Sequence, residues 1–176
     1  MLPKVLNVET RYQGRAFEVQ VEEVEIRPGK TVRLDIIQHA NAVTILPLDA
    51  DDNVWFVRQY RHPAREYLLE LPAGTLEPGE DPLPAANREL QEEIGMRAAS
   101  LAEIASFYLA PGYSTELMHV YLATGLSPSK LEQDEDEMIT VEKIPASQAA
   151  ALARQGELRD SKSLVAVLLA AHRLGW

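Results

Sequence analysis

Residues 74–96 read GTLEPGEDPLPAANRELQEEIGM, and this stretch decides the fold. Gly74 is followed six positions on by Glu80, and then come Arg88 and Glu89, Leu90, the pair Glu92 and Glu93, Gly95 and Met96. Asp81 suits a helix N-cap, and Pro82 fits the first turn after it. Leu83, Ala86, Leu90 and Ile94 recur at helical spacing, which predicts an apolar stripe facing a sheet. Gly95 is a natural left-handed stop. Glu89, Glu92 and Glu93 stand three and four apart, so on a helix they share one face. Like charges at that spacing repel and weaken an isolated helix. A divalent cation reverses the balance, because carboxylate oxygens are the donors that magnesium or manganese takes. Acidic helix faces are more often simply solvated, so the spacing alone leaves both readings open.

Outward from this segment, the chain reads as an ordinary globular protein. Its 176 residues are enough for a substantial core, with 46% hydrophobic and 25% charged residues. A net charge of -10 argues against nucleic acid, whose binding needs basic patches. It is compatible with a small phosphorylated ligand if a cation supplies the positive charge. There is no cysteine, which excludes disulfides, a thiolate nucleophile and Cys-ligated zinc. The first residues, MLPKVLNVETRYQGR, lack the apolar run of a signal peptide, and no stretch approaches the ~18 apolar residues of a membrane span. The expectation is a soluble cytoplasmic protein with neither a membrane nor a nucleic-acid partner.

Strands are expected at 16–26 and 31–37, separated by the turn Pro28-Gly29-Lys30. Residues 41–48 and 53–59 flank Asp51-Asp52 and read as a hairpin. Further strands are expected at 104–110, 117–123 and 138–142. A helix over 146–155 should end at Gly156, and a last helix over about 161–173 should turn Leu164, Leu168 and Ala171 inward. Strands and helices interspersed in this way suggest an α/β architecture.

The spacing in 74–96 resembles the Nudix box: Gly, five residues, Glu, seven residues, Arg-Glu, an aliphatic, one residue, Glu-Glu, one residue, Gly, an aliphatic. Every position matches, with Leu90 and Met96 in the aliphatic places. Seven fixed residues and two aliphatics arise by chance roughly once in 10⁹ windows. The resemblance implies a mixed sheet sandwiched between helices, with the box as strand, loop and helix. It also implies an additional N-terminal antiparallel sheet over 1–40, contributing to a homodimer and to the substrate pocket, ahead of a catalytic domain over 41–176. The implied activity is hydrolysis of a diphosphate linkage, assisted by two to three magnesium ions, with manganese as a possible substitute. Such ions neutralise developing charge and acidify the attacking water.

Residue by residue, the resemblance implies Glu89 and Glu93 as metal ligands, with the backbone carbonyl of Ala73. Glu92 binds metal through water or supports its neighbours. Arg88 and Glu80 hold the loop against the helix. In the acidic run LEQDEDEMI at 131–139, the match makes Glu135 the general base and Glu137 a further ligand, with Glu92 and Glu132 as rival bases. Beyond the box, APGYSTE at 110–116 and VRQYRHPAREYLLELPAG at 57–74 resemble the ADP-ribose pyrophosphatase group. Pro111, Gly112 and Glu116 would then form part of the substrate site, with Glu116 on the terminal ribose hydroxyls. Arg61 would grip the diphosphate, and Arg33 matches an arginine near the nucleotide pocket. Two departures stand out. His39-Ala40-Asn41-Ala42-Val43 replaces a common His-Pro-Gly-Ala-Val, which bears on pocket entry and base preference, and Ala110 replaces a frequent Ser. Tyr12 and Phe17 are alternative stacking partners for an adenine.

The sequence thus points to a magnesium-dependent hydrolase cleaving ADP-ribose, a phosphoric anhydride, to AMP and ribose 5-phosphate. The alternatives are a Nudix hydrolase of another nucleoside diphosphate sugar such as GDP-mannose, one of a nucleoside triphosphate, and a Nudix-fold ligand-binding module without catalysis. An intact box and the lack of a basic helical extension disfavour the last.

Overall fold

The computed structural model describes residues 2–132 and 139–176. Among the described residues, ten strands and three helices follow one another as β1 (Lys4–Gln13), β2 (Phe17–Arg27), β3 (Lys30–His39), β4 (Ala42–Pro47), β5 (Asn53–Arg61), β6 (Glu66–Glu70), β7 (Ala73–Thr75), α1 (Pro82–Glu93), β8 (Met96–Tyr108), β9 (Leu117–Pro128), β10 (Ile139–Pro145), α2 (Ala146–Gln155) and α3 (Ser161–Leu174). They form three sheets, ordered β1-β2-β3, β10-β5-β6 and β7-β4-β9-β8. This is an α/β arrangement with a separate N-terminal antiparallel sheet. No helix among the described residues is long and apolar enough to cross a membrane.

Residues divide into two compact units, one running up to Asn41 together with Tyr108–Leu117, the other comprising Ala42–Phe107 and Met118–Trp176. In the first unit, Tyr113 and Thr115 of the segment after β8 dock on the end of β3. The Ile37 amide donates to the Tyr113 carbonyl at 2.7 Å, and the Thr115 amide to the Ile37 carbonyl at 3.0 Å. β1 was not foreseen as a strand. All ten of its residues are exposed, although Leu6, Val8 and Tyr12 alternate with Asn7, Glu9 and Arg11.

The second unit holds the large core. All six residues of β4 are buried, and it pairs parallel with β9 and antiparallel with β7. A strand with no polar face needs cover on both sides, and α1 and α3 both pack against it. This overturns the hairpin expected across Asp51-Asp52. The turn exists, with the Asp49 carboxylate accepting from the Asn53 amide at 2.9 Å and a bridge Leu48↔Val54 just past the end of β4, but β4 and β5 are not paired along their length. They separate into different sheets because the buried β4 is enclosed between β7 and β9.

The helix limits follow the expected capping chemistry. The Asp81 side chain accepts from the Leu83 amide at 3.0 Å, and Gly95 sits at φ +67° beyond the end of α1. Gly156, at φ 74°, ends α2. The buried faces differ from expectation. Leu83 is 46% exposed, whereas Ala85, Ala86, Leu90 and Ile94 join Val43, Ile45 and Tyr121 in one cluster. On α3, Leu168 is exposed and Leu164 half-buried, while Ser163, Ala166, Val167, Ala170 and Ala171 face inward. The alanines and Ser163 on this face let α3 pack closely on β4. In urea unfolding, Leu90→Ala is expected to cost about 2–5 kcal/mol, and Leu83→Ala less than about 0.5 kcal/mol. Equal costs would restore Leu83 to the core stripe.

Candidate active site

Two of the three helix acids turn inward. With about 100° per residue, positions 89 and 93 lie about 40° apart around α1, and position 92 is swung about 100° from 93. Glu89 and Glu93 are accordingly buried, at 8% and 7% exposure. Glu92 is half-buried and is drawn to Arg88 instead, its Oε2 accepting from Nη1 at 2.8 Å. The single acidic face expected from the spacing is therefore split.

Both buried carboxylates reach the short strand β7. The Ala73 amide donates to Glu93 Oε2 at 3.3 Å. The Glu89 carboxylate lies against Gly74 so closely that a Cβ built there would collide with its Cδ and both oxygens. Gly74 is thus required for a steric reason, and the φ of this residue plays no part in it.

Arg88 ties the loop to the helix. Its Nε and Nη2 donate to Glu80 at 3.3 and 3.2 Å, and its Nη1 lies 2.7 Å from Glu89 Oε1. Glu80 also accepts from the Glu77 amide at 2.9 Å, which closes the loop before α1. Burial works against the charged form of Arg88, but the Glu80 hydrogen bonds and the charges of Glu89 and Glu92 outweigh it and raise its pKa. The hydrogen bond from Arg88, helped by the Glu77 amide, holds the Glu80 carboxyl below its ordinary value.

One guanidinium here faces three carboxylates, Glu80, Glu89 and Glu92, while Glu93 turns to the Ala73 amide. The donor set suits a hard cation: two buried carboxylates one helical turn apart, beside a strand backbone, with no soft ligand present. Among the described residues, no three His, Asp or Glu side chains stand together as a complete ligand set. Glu135 and Glu137 lie outside the described residues, and the neighbouring Glu132 is exposed.

Arg61, at the end of β5, does not stand free. Its Nε and Nη2 donate to Glu70 at 2.7 and 2.8 Å. The Glu70 side chain is only 2% exposed, and its Oε2 also accepts from Lys162 Nζ at 2.5 Å. Hydrogen bonding to Glu70 raises the Arg61 pKa against the effect of burial, and the charges of Asp160 and Glu93 act in the same direction. Burial would raise the pKa of Glu70, but Arg61 and Lys162 prevail and lower it. Glu70 and Lys162 were missed in the sequence. The available signal was Glu70 standing among Leu68, Leu69 and Leu71, a charge embedded in an apolar run.

The other candidates lie in the first unit. Arg33 is exposed on β3 opposite Glu23. Pro111 and Gly112 occupy an exposed turn in which the Ser114 amide donates to the Ala110 carbonyl at 2.8 Å. Glu116 is half-buried, with Oε1 3.9 Å from His39 Nδ1. Tyr12 and Phe17 are exposed and stand 6.2 Å apart, ring centre to ring centre.

The NUDIX domain family matches residues 38–166. An ADP-ribose pyrophosphatase from Bacillus subtilis is 37% identical over 166 residues, covering 93% of this chain and 90% of that protein. A methanol dehydrogenase activator from Bacillus methanolicus is 34% identical, with the same coverage of 93% and 90%. Among solved structures, one described as an ADP compounds hydrolase superposes with a TM-score of 0.88 at 30% identity, covering 99% of this chain and 95% of its own.

The Glu80 loop lock gives a pH test. Its folded pKa lies below the ordinary 4.5, so the folded state favours the ionised form. The stabilisation is complete above that value and fades as pH falls through the lower folded one. Glu80→Gln is therefore expected to lower the urea midpoint at about pH 7, with the gap to the unaltered chain closing below about pH 4. A gap that stays constant across that range would assign the acid sensitivity to another group.

Proposed function

The chain belongs to the NUDIX domain family, and on that premise we propose that it hydrolyses the diphosphate bond of ADP-ribose to AMP and ribose 5-phosphate, using magnesium. One observation carries the reaction type: Glu89 and Glu93 bury their carboxylates together at the Ala73–Gly74 backbone. Two carboxylates one helical turn apart, held beside a strand backbone, offer the hard oxygen donors that a divalent cation takes. The choice of ADP-ribose draws on the likeness to the Bacillus subtilis ADP-ribose pyrophosphatase, which extends over 93% of the chain.

In this reading Glu89, Glu93, the Ala73 carbonyl and Glu137 hold two to three ions, with manganese able to replace magnesium. Bound there, the ions neutralise phosphate charge and lower the pKa of water. Arg88 and Glu80 keep the loop and the helix acids in register. Glu135 takes the proton of the attacking water, with Glu92 and Glu132 as the rivals for that role. Arg61 offers its guanidinium to the diphosphate, and Arg33, Pro111, Gly112 and Glu116 contribute nucleoside and ribose contacts. Val5, Leu6, Val8 and Tyr12 leave apolar surface exposed on β1, which supports pairing of the N-terminal region, residues 1–40, with a second copy in a homodimer. The cytoplasm is the proposed place of action.

The deciding assay is magnesium-dependent release of AMP from ADP-ribose, run beside GDP-mannose and nucleoside triphosphates. Faster turnover of GDP-mannose, or triphosphate cleavage with ADP-ribose untouched, would replace the substrate. Glu93→Gln is expected to lower kcat at least about 100-fold, equivalent to about 3 kcal/mol, with folding unchanged by circular dichroism. Near-normal activity would remove Glu93 from the site. Glu135→Gln should lower kcat about 10²–10⁴-fold with little change in KM. A rise in KM alone would pass the base role to Glu132 or Glu92.

A further inference from the structure

Arg61 is the last link of a buried polar chain that begins at the first turn of α3. Asp160 caps that helix, accepting from the Ser163 amide at 3.0 Å and from its hydroxyl at 2.5 Å. The Ser163 Oγ accepts in turn from the Leu71 amide at 2.7 Å, which fastens the helix to the residue following Glu70. Lys162 lies between the two acids, with Nζ 3.0 Å from Asp160 Oδ2 and 2.5 Å from Glu70 Oε2. Glu70 then holds Arg61 through two hydrogen bonds.

This chain of contacts sets both the direction and the charge of Arg61. Glu70 engages Nε and Nη2, so it leaves Nη1, on the other edge of the fork, for another ligand. The Arg61 side chain is 42% exposed, unlike those of Glu70 and Lys162 at 2% and 10%. Without Lys162, one guanidinium would face the charges of Glu70, Asp160 and Glu93, a poor setting for attracting an anion. Lys162 supplies the second positive charge, and its bond to Oε2 fixes the carboxylate on which Arg61 rests.

We propose that Lys162 is a positioning residue that, through Glu70, orients the Arg61 guanidinium and keeps it electropositive towards a diphosphate. This rests on the reading of Arg61 as a substrate contact. A merely structural lysine would neutralise Glu70 and stabilise the fold, but it would not couple to Arg61 in substrate affinity.

The experiment compares the unaltered chain with Lys162→Met, Lys162→Arg, Arg61→Ala and the double variant Arg61→Ala/Lys162→Met. Steady-state hydrolysis of ADP-ribose with magnesium gives kcat and KM, and calorimetric titration of ADP-ribose in EDTA gives affinity without turnover. Lys162→Met is expected to raise KM and the EDTA Kd about tenfold, with kcat within about twofold. Lys162→Arg should bring both back to within about threefold. In the Arg61→Ala background the methionine change should add nothing to KM or Kd. Lys162→Gln, which retains a donor for Glu70, replaces the methionine variant if that variant does not fold. Unchanged KM and Kd, or an equal loss in the Arg61→Ala background, overturns the proposal. Lack of AMP release alongside the expected loss of EDTA affinity would sink the ADP-ribose reading while leaving this one standing. No binding by the unaltered chain overturns both.

Discussion

A carboxylate occupies the space that a side chain at residue 74 would fill. Glu89 lies against Gly74, and Glu93 accepts from the neighbouring Ala73 amide, so α1 and β7 meet through charged groups at this point. The rest of the unit is built so that this contact survives. Leu90, Ala85 and Ala86 anchor the adjacent helix face in the core, and β4 supports both β7 and α1. Any residue larger than glycine at 74 would push Glu89 away from the strand, and the helix would lose the register that brings its acids together.

Charge organises the same region at two levels. The whole chain is acidic, yet the acids of the box are not left to repel one another, because Arg88 gathers Glu80, Glu89 and Glu92 while Glu93 turns to the strand. A second group, Glu70, Lys162 and Asp160 with the half-exposed Arg61 at its end, balances itself in pairs. Buried ion pairs of this kind contribute little net stability, since desolvation offsets their attraction. Their value is geometric: breaking one partner leaves an uncompensated charge, so each side chain has one tolerated position. A fixed guanidinium needs less ordering when an anion arrives than a mobile one does.

Much of the local structure was legible in the residues. Asp81 capped α1, Gly156 ended α2, and the box matched a family that the comparisons bear out. Other elements were read less well. β1 carries a strand signal, Leu6, Val8 and Tyr12 alternating with Asn7, Glu9 and Arg11, yet it is exposed along its whole length, so burial does not separate its two faces. Leu83 occupied a helically correct position for the stripe but faces solvent, because the sheet lies slightly round the helix from it, under Ala85 and Ala86. The hairpin across Asp51-Asp52 had the right turn and the wrong partners, since the burial of β4 on both faces draws it between β7 and β9.

By itself the sequence determined the helix limits, the family and the set of acids at the box, because caps, stops and i, i+4 spacings depend on neighbours a few residues away. The tertiary structure alone decided which of those acids are buried, which strands pair, and what surrounds Arg61. Those outcomes depend on contacts such as Thr44 with Val120 and Glu70 with Lys162, the latter separated by 92 positions. No spacing rule reaches that far. Such partners are chosen by the competition among whole faces for burial, which is settled only when the chain packs.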